Sequence, residues 1–175
     1  ANSRFGDGNL SILPPSSEPA DQFCYDPSRP YPFLTEPTSS QIGGPDDYAA
    51  LLRRDDVLFF ATEPLVVDTE VTGPIQLELY AASSAPDTDF TAMLLDVHPN
   101  GFVQRLCDGM IRARFRQGMH LPTLIEPGRI YPYTLDLWYI SQVFHAGHRI
   151  ALSIASSAFP KFDRNLNTGE DLVSS

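Results

Sequence analysis

The stretch DTDFTAMLLDVHPNGFVQRLCDG, Asp87–Gly109, decides how the chain is read. It carries four aspartates, a histidine and a cysteine. Such a set is either a catalytic or metal-binding cluster, or a hairpin that carries polar residues. Its centre favours the hairpin: Asn100 and Gly101 both tolerate positive φ, so Pro99-Asn100-Gly101 marks a tight turn. The runs FTAMLLDV and FVQRLCDG are then the two arms, with His98 at the shoulder. On the first arm Asp96 shares a face with Leu94 and Ala92, opposite Leu95 and Met93. At ~3.3 Å per residue, Asp96 lies roughly 20 Å or more from Asp87 and Asp89, so one strand cannot join them as an acid–base pair. Asp87, Thr88 and Asp89 follow Pro86 and read as a turn whose side chains accept hydrogen bonds from backbone amides. Calcium is the weaker reading, because no glycine-bearing calcium loop follows. Cys107 reads as a small buried apolar side chain.

Working outward, the same two-residue period recurs. IQLELYA sets Ile75, Leu77 and Leu79 against Gln76, Glu78 and Tyr80, and MIRARFR sets Ile111, Ala113 and Phe115 against three arginines. YPYTLDLWYI and HRIALSIAS alternate too. Alternation of this kind means strands with one face buried. Turn signals at TGPI (72–75), PNG (99–101) and EPGR (126–129) space the strands as in an antiparallel sandwich rather than βαβ units. Before the strands, GPDDYAALLRRDD (Gly44–Asp56) predicts one short helix, capped by Asp46 or Asp47, with Tyr48, Leu51 and Leu52 on one face. Residues 1–45, rich in Pro, Ser, Asp and Gly, predict an extended arm that packs on a sandwich spanning 46–175. Its anchors are Phe23, Tyr25, Tyr31, Phe33 and Leu34.

Composition narrows the function classes. Of 175 residues, 42% are hydrophobic and 19% charged, which suits a globular domain with a core of its own. The formal net charge of −10 disfavours nucleic acid, whose phosphates need clustered Lys and Arg, and disfavours anionic membrane surfaces likewise. The longest apolar run, VLFFA at 57–61, is far short of the roughly 20 residues of a membrane-spanning helix. Cys24 and Cys107 form no CxxC and read as two buried free thiols rather than a disulfide.

Catalytic motifs are missing. No G-x-S-x-G nucleophile elbow occurs, and no nucleophile lies near His98 in sequence. His145 and His148, in FHAGHRI, lack the spacing of a helical zinc pair and read as residues flanking a glycine turn, so no metal site and no cofactor is assigned. Arg112, Arg114 and Arg116 read as a basic strip on one strand face, either solvated or, in so acidic a chain, an interdomain ion-pair surface. Trp138 reads as a core or interface residue rather than a sugar-stacking platform.

Four segments in this order, RRDDVLFFATEPL, SSAPDTDFTAMLLDVHPNGFVQRLCDGMIRARFR, PTLIEPGRIY and HRIALSIASSAFPKFDRNLNTG, resemble the C-terminal domain of the cocaine-esterase and X-Pro dipeptidyl-peptidase-like hydrolases, relatives of cephalosporin acylases and amino-acid ester hydrolases. The resemblance runs from about Asp21 to Gly169. It implies an all-β, galactose-binding-like jelly roll that serves an α/β-hydrolase domain carrying a Ser–Asp–His triad. None of His98, His120, His145 and His148 matches the family's catalytic histidine, so the chain itself is expected to be inactive. The loop TSSQIGG (38–44), with Ser40, Gln41 and Ile42, corresponds to a stretch that approaches the family's acyl pocket. Family members continue beyond the NTG motif, so an open sheet edge and self-association through it are expected here. A free-standing carbohydrate-binding or protein-interaction sandwich is the rival reading.

Overall fold

Two tight turns and one doubly covered strand set the frame of the computed structural model, which describes residues 8–13, 19–34 and 46–170. Seven strands form: β1 (Gly8–Asn9), β2 (Val57–Ala61), β3 (Thr69–Ala81), β4 (Asp89–Val97), β5 (Val103–Arg112), β6 (Tyr131–Phe144) and β7 (Arg149–Ala155). One sheet has the order β1-β2-β7-β4-β5, and a second consists of β3 and β6. Every pairing is antiparallel except the short β1–β2 contact. The chain is thus an all-β sandwich, as its alternating runs require.

The Asn100-Gly101 turn closes β4 onto β5 as expected. Gly101 sits at φ +89°, its amide donates to the His98 carbonyl, and the Asn100 side chain accepts from the Phe102 amide. A second turn, at 145–148, joins β6 to β7, with the His148 amide donating to the His145 carbonyl at 3.0 Å. Both turns lie at the same end of the sheet, because β4 runs antiparallel to β7 with Val97 opposite Arg149.

Strand β4 departs from the one-face-buried expectation. Residues Asp89–Leu95 are buried on both faces. Phe90, Ala92 and Leu94 pack inward against Tyr133, Leu135 and Leu137 of β6. Met93 and Leu95 face the other way, onto Tyr31, Phe33, Tyr48 and Leu52. The arm therefore supplies a third layer: its amide at Phe33 donates to the Phe159 carbonyl, and Ser157 Oγ accepts from the Tyr31 amide. Fully burying side chains of this size contributes about 1.5–3 kcal/mol each, so Tyr31 and Phe33 belong to the core proper.

The helix expected over Gly44–Asp56 shrinks to one 3-10 turn, Leu51–Arg53. Asp47 does not cap it. Its Oδ1 accepts from the Ala49 amide, two residues on, and from the Val103 amide, so the carboxylate is spent on tying this segment to β5. Residues 44 and 45 lie outside the described residues. The run MIRARFR is likewise only half strand. β5 stops at Arg112 and Ala113–Phe115 turns as a 3-10 segment, held by the Ala113 amide donating to the Thr88 carbonyl. Trp138 is 69% exposed, which rules out the core reading. It sits at φ +71° in a bulge between Pro74 and Gln76 of the partner strand, where its amide donates to Asp136 Oδ1 at 2.8 Å. Such a φ is costly for a bulky residue, and the bulge turns both Trp138 and Tyr139 outward.

Gly109 on β5 lies directly against the backbone of β6 in the other sheet. A Cβ there would lie 2.1 Å from the Asp136 carbonyl oxygen and 2.9 Å from Leu137 Cδ2. The first of these is backbone and cannot swing away. Gly109→Ala should therefore lower stability by about 3 kcal/mol, read as a fall in the denaturant midpoint. An unchanged midpoint would show that the sheets slide apart freely at this point.

Candidate functional site

Strand β4 begins and ends in carboxylates, and each end gathers partners from elsewhere in the chain. At its start, Asp87 is completely buried and Asp89 nearly so. Asp87 accepts from the Arg114 amide at 3.0 Å, from Arg114 Nε at 2.8 Å and from Asn165 Nδ2 at 2.9 Å. Asp89 takes both arms of the Arg112 guanidinium, at 2.8 and 2.9 Å, and the same Asn165 amide at 2.9 Å. Two charge pairs are thus bridged by one neutral side chain. The 3-10 turn at 113–115 follows directly on β5, so Arg112 meets Asp89 and Arg114 meets Asp87.

These partners differ from the turn amides that the sequence suggested. Among the described residues, the backbone N–H that reaches these carboxylates is that of Arg114, 27 residues from Asp87. Buried carboxylates of this kind need charge-assisted bonds to offset their desolvation. Arg112 and Arg114 supply these bonds, so they do not form a free basic strip. Arg116 donates to the carbonyls of Ala113, Thr123 and Leu124 and lies over the Tyr131 ring. Together the three arginines hold the 113–125 segment against the sandwich. Tyr25 belongs to the same corner: its hydroxyl donates to the Asn165 carbonyl at 3.0 Å, and burial beside the Asp89 charge pushes its pKa up to about 12.

At the other end of β4, Asp96 is buried and lies between two histidines. His148 Nδ1 is 2.8 Å from Asp96 Oδ1, and His98 Nε2 is 3.7 Å from Oδ2. The His98 and His148 ring centroids lie 4.3 Å apart, with the ring planes tilted by 40°. His145, one turn away, pairs instead with the exposed Asp68, whose carboxyl is held below its usual range by hydrogen bonds from the Ala146 amide and then from His145. The sequence reading joined neither His98 nor His148 to Asp96. The signal was present but needed the β4–β7 register, which sets the residue after Val97 opposite the residue before Arg149. The two ends of β4 are roughly 23 Å apart, so they are separate sites.

Between the sheets, under residues 20–25, lies a groove of about 730 Å³, lined chiefly by Phe23, Tyr25, Leu58, Phe60, Phe90 and Ile154. Cys24 also borders it and is exposed, against the expectation of two buried thiols, whereas Cys107 is buried. Both are free. The loop residues Ser40, Gln41 and Ile42 lie outside the described residues. No serine hydroxyl among the described residues meets a histidine through a hydrogen bond; the His145 and His148 rings bond Asp68 and Asp96.

The family of X-Pro dipeptidyl-peptidase C-terminal non-catalytic domains matches residues 3–175. The chain belongs to this family. It is similar to parts of longer proteins. Cocaine esterase of Rhodococcus sp. (strain MB1 Bresler) is 47% identical over 171 residues, covering 97% of this chain but 30% of that protein. An aminopeptidase from a marine sediment archaeon, Thaumarchaeota archaeon, superposes with a TM-score of 0.85 at 30% identity, over 95% of this chain and 30% of its own. An α-amino acid ester hydrolase superposes with a TM-score of 0.85 at 28% identity, over 93% of this chain and 29% of its own. The chain thus spans under a third of the length of these relatives.

Two outcomes are expected. Asp89→Ala should cost about 3–5 kcal/mol in urea unfolding, since it strands a guanidinium in the interior. Adding Arg112→Ala should restore part of that loss, giving a coupling of about 2 kcal/mol; strictly additive losses would show that the pair is not an energetic unit. Burial, with the Asp108 charge second, pushes the Cys107 thiol up to about 11. Its thiolate is therefore scarce at pH 8 and forms only as the pH approaches that value. A disulfide reagent should titrate one thiol per native chain at pH 8 and two in denaturant, and two fast native thiols would contradict the structure.

Proposed function

We propose that this domain is the C-terminal, non-catalytic part of a serine hydrolase that cleaves an ester or amide bond, and that it helps to shape the substrate cleft of a neighbouring α/β-hydrolase domain. The observation that carries the reading is the 47% identity to cocaine esterase across 97% of the chain. The likeness to an α-amino acid ester hydrolase and an aminopeptidase supports the same reaction class, acyl transfer from an ester or amide to water. Nucleophilic acyl transfer needs a hydroxyl held by a base within hydrogen-bond reach. His145 and His148 are hydrogen-bonded to Asp68 and Asp96 instead. The nucleophile, base and oxyanion donors are thus assigned to the partner domain.

The cleft contribution is assigned to Ser40, Gln41 and Ile42. These residues lie between the arm anchors Tyr31 and Phe33 and the segment fixed by Asp47, both of which are docked on β4 and β5. A loop held at both roots can present side chains to a neighbour without disturbing the sandwich. A carbohydrate-binding module would need aromatics grouped on one surface. The exposed aromatics of the second sheet fall into two places instead, Trp138 with Tyr139, and Tyr80 six residues along β3 from the partner of Tyr139, roughly 20 Å away.

The reading is tested with p-nitrophenyl esters. The 175-residue chain should show no turnover above background. The hydrolase that contains it should be active, and changing Gln41 and Ile42 to alanine in it should alter kcat/KM between short and long acyl groups by about tenfold, or 1.4 kcal/mol. Turnover by the isolated chain that a single serine substitution abolishes would overturn the assignment, and unchanged acyl selectivity would remove the loop from the cleft.

A further inference from the structure

We propose that Asp96, His98 and His148 bind a divalent transition-metal ion, with zinc the first candidate. One donor atom from each of the three lies within 4.8 Å of the other two. The donors that face one another are the Asp96 carboxylate, His98 Nε2 and His148 Nδ1. Zinc bonds imidazole nitrogen and carboxylate oxygen at about 2.0–2.2 Å, so tetrahedral donors stand about 3.4 Å apart. The observed separations of 2.8 and 3.7 Å bracket that value.

The state of His98 points to a ligand. Its Nε2 is shielded from solvent yet has no hydrogen-bond partner, because Asp96 Oδ2 at 3.7 Å is beyond hydrogen-bond range. An unsatisfied polar atom in such a place costs about 1–3 kcal/mol. A cation between the two rings and the carboxylate would give that nitrogen its bond. The donor set also selects the ion: two imidazoles suit zinc, nickel, cobalt or copper, whereas calcium and magnesium prefer all-oxygen shells. Asp96 supplies the negative charge. Arg149, the nearest cation in sequence, turns away to the Thr62 carbonyl and lies 3.9 Å from Glu63.

The fold makes the site specific. Asp96 is the next-to-last residue of β4, His98 stands at the β4–β5 turn, and His148 stands at the β6–β7 turn. The two turns touch, since a Cβ on Gly147 would lie 3.4 Å from Pro99 Cγ. Phe102 packs edge-on against the His98 ring at 5.1 Å and limits its rotation. The His98 and His148 side chains are 28% and 13% exposed, so the cluster lies just below the surface. An ion here would staple the β4–β5 hairpin turn to the turn that joins the two sheets.

The test uses protein freed of metal by chelator dialysis and titrated with zinc chloride by calorimetry, with a thermal melt at each end of the titration. One ion should bind per chain, and the melting temperature should rise with zinc concentration, as binding to the folded state alone requires. Cobalt chloride should give visible absorption bands of a site with nitrogen ligands. Even second-layer partners of metal ligands are worth about 10–100-fold in affinity, so His148→Ala should weaken zinc binding by at least about a hundredfold. Because that change also strips Asp96 of its hydrogen bond, His98→Gln, at the more exposed turn, provides an independent variant with the same expected loss. His145→Ala, outside the triad, should bind zinc as the parent does. The proposal is overturned if neither zinc nor cobalt binds the parent protein, or if binding survives His98→Gln unchanged.

Discussion

A strand covered on both faces has no route to water for whatever charge it carries, and β4 carries charge at both ends. Its middle is apolar and satisfies each side of the sheet by packing alone: Phe90, Ala92 and Leu94 inward, Met93 and Leu95 outward. Asp87 and Asp89 at the start, and Asp96 at the finish, are as buried as the leucines between them. Ionised groups in such positions must be met by donors of matching charge or lose much of the stability of the strand. The remaining architecture follows from meeting them. Arg112 must end β5, Arg114 must turn back, Asn165 must return from the far end of the chain, and the two turns at the other end must bring imidazoles together.

This constraint gives a physical sense to the acidic composition. Much of the net charge of −10 is surface charge, yet the best-placed cations are not spread over it as screening. Arg105 and Lys161 both bond the buried Asp108 and lie over the Phe33 ring, at 4.5 and 4.9 Å from its centroid. Arg54 binds the buried Asp56 with both nitrogens and passes a third bond to the Arg29 carbonyl. Basic residues here serve as internal fittings between the arm and the sheets. A domain built this way leaves a strongly negative exterior for whatever lies beside it.

The turns and the strand pattern were legible because they are local. Asn100-Gly101 states its own geometry, and a two-residue period reports a sheet face without knowledge of the partner. The coverage of the second face of β4 was not legible, since Tyr31 and Phe33 reach it from some sixty residues upstream and no periodicity in FTAMLLDV announces a second layer. The helix at 44–56 was over-read for a related reason: Asp47 resembles a cap in sequence, but a better acceptor role, for the Val103 amide, exists only once β5 is in place. The arginine run was read as strand because alternation persists through Ala113 and Phe115, whereas the Thr88 carbonyl and the Asp87 carboxylate draw the backbone into a turn. The Asp–Arg–Asn network and the Asp–His–His cluster join residues 23–78 positions apart. Spacing rules see motifs within one element, and neither cluster lies within one.

The docking of the arm has a consequence for how the chain reaches this structure. The Tyr31 amide is bonded by Ser157, a contact that spans 126 residues, and the Phe33 amide by the Phe159 carbonyl. Contacts that span so much chain form late, because their loop-closure entropy is repaid only when the segments between them are already ordered. During synthesis the arm leaves the ribosome well before the strand beside which it will lie. Tyr31 and Phe33 then remain without a surface until β7 and the segment after it have emerged, and the domain can acquire its outer layer only after nearly all of the described chain has been made.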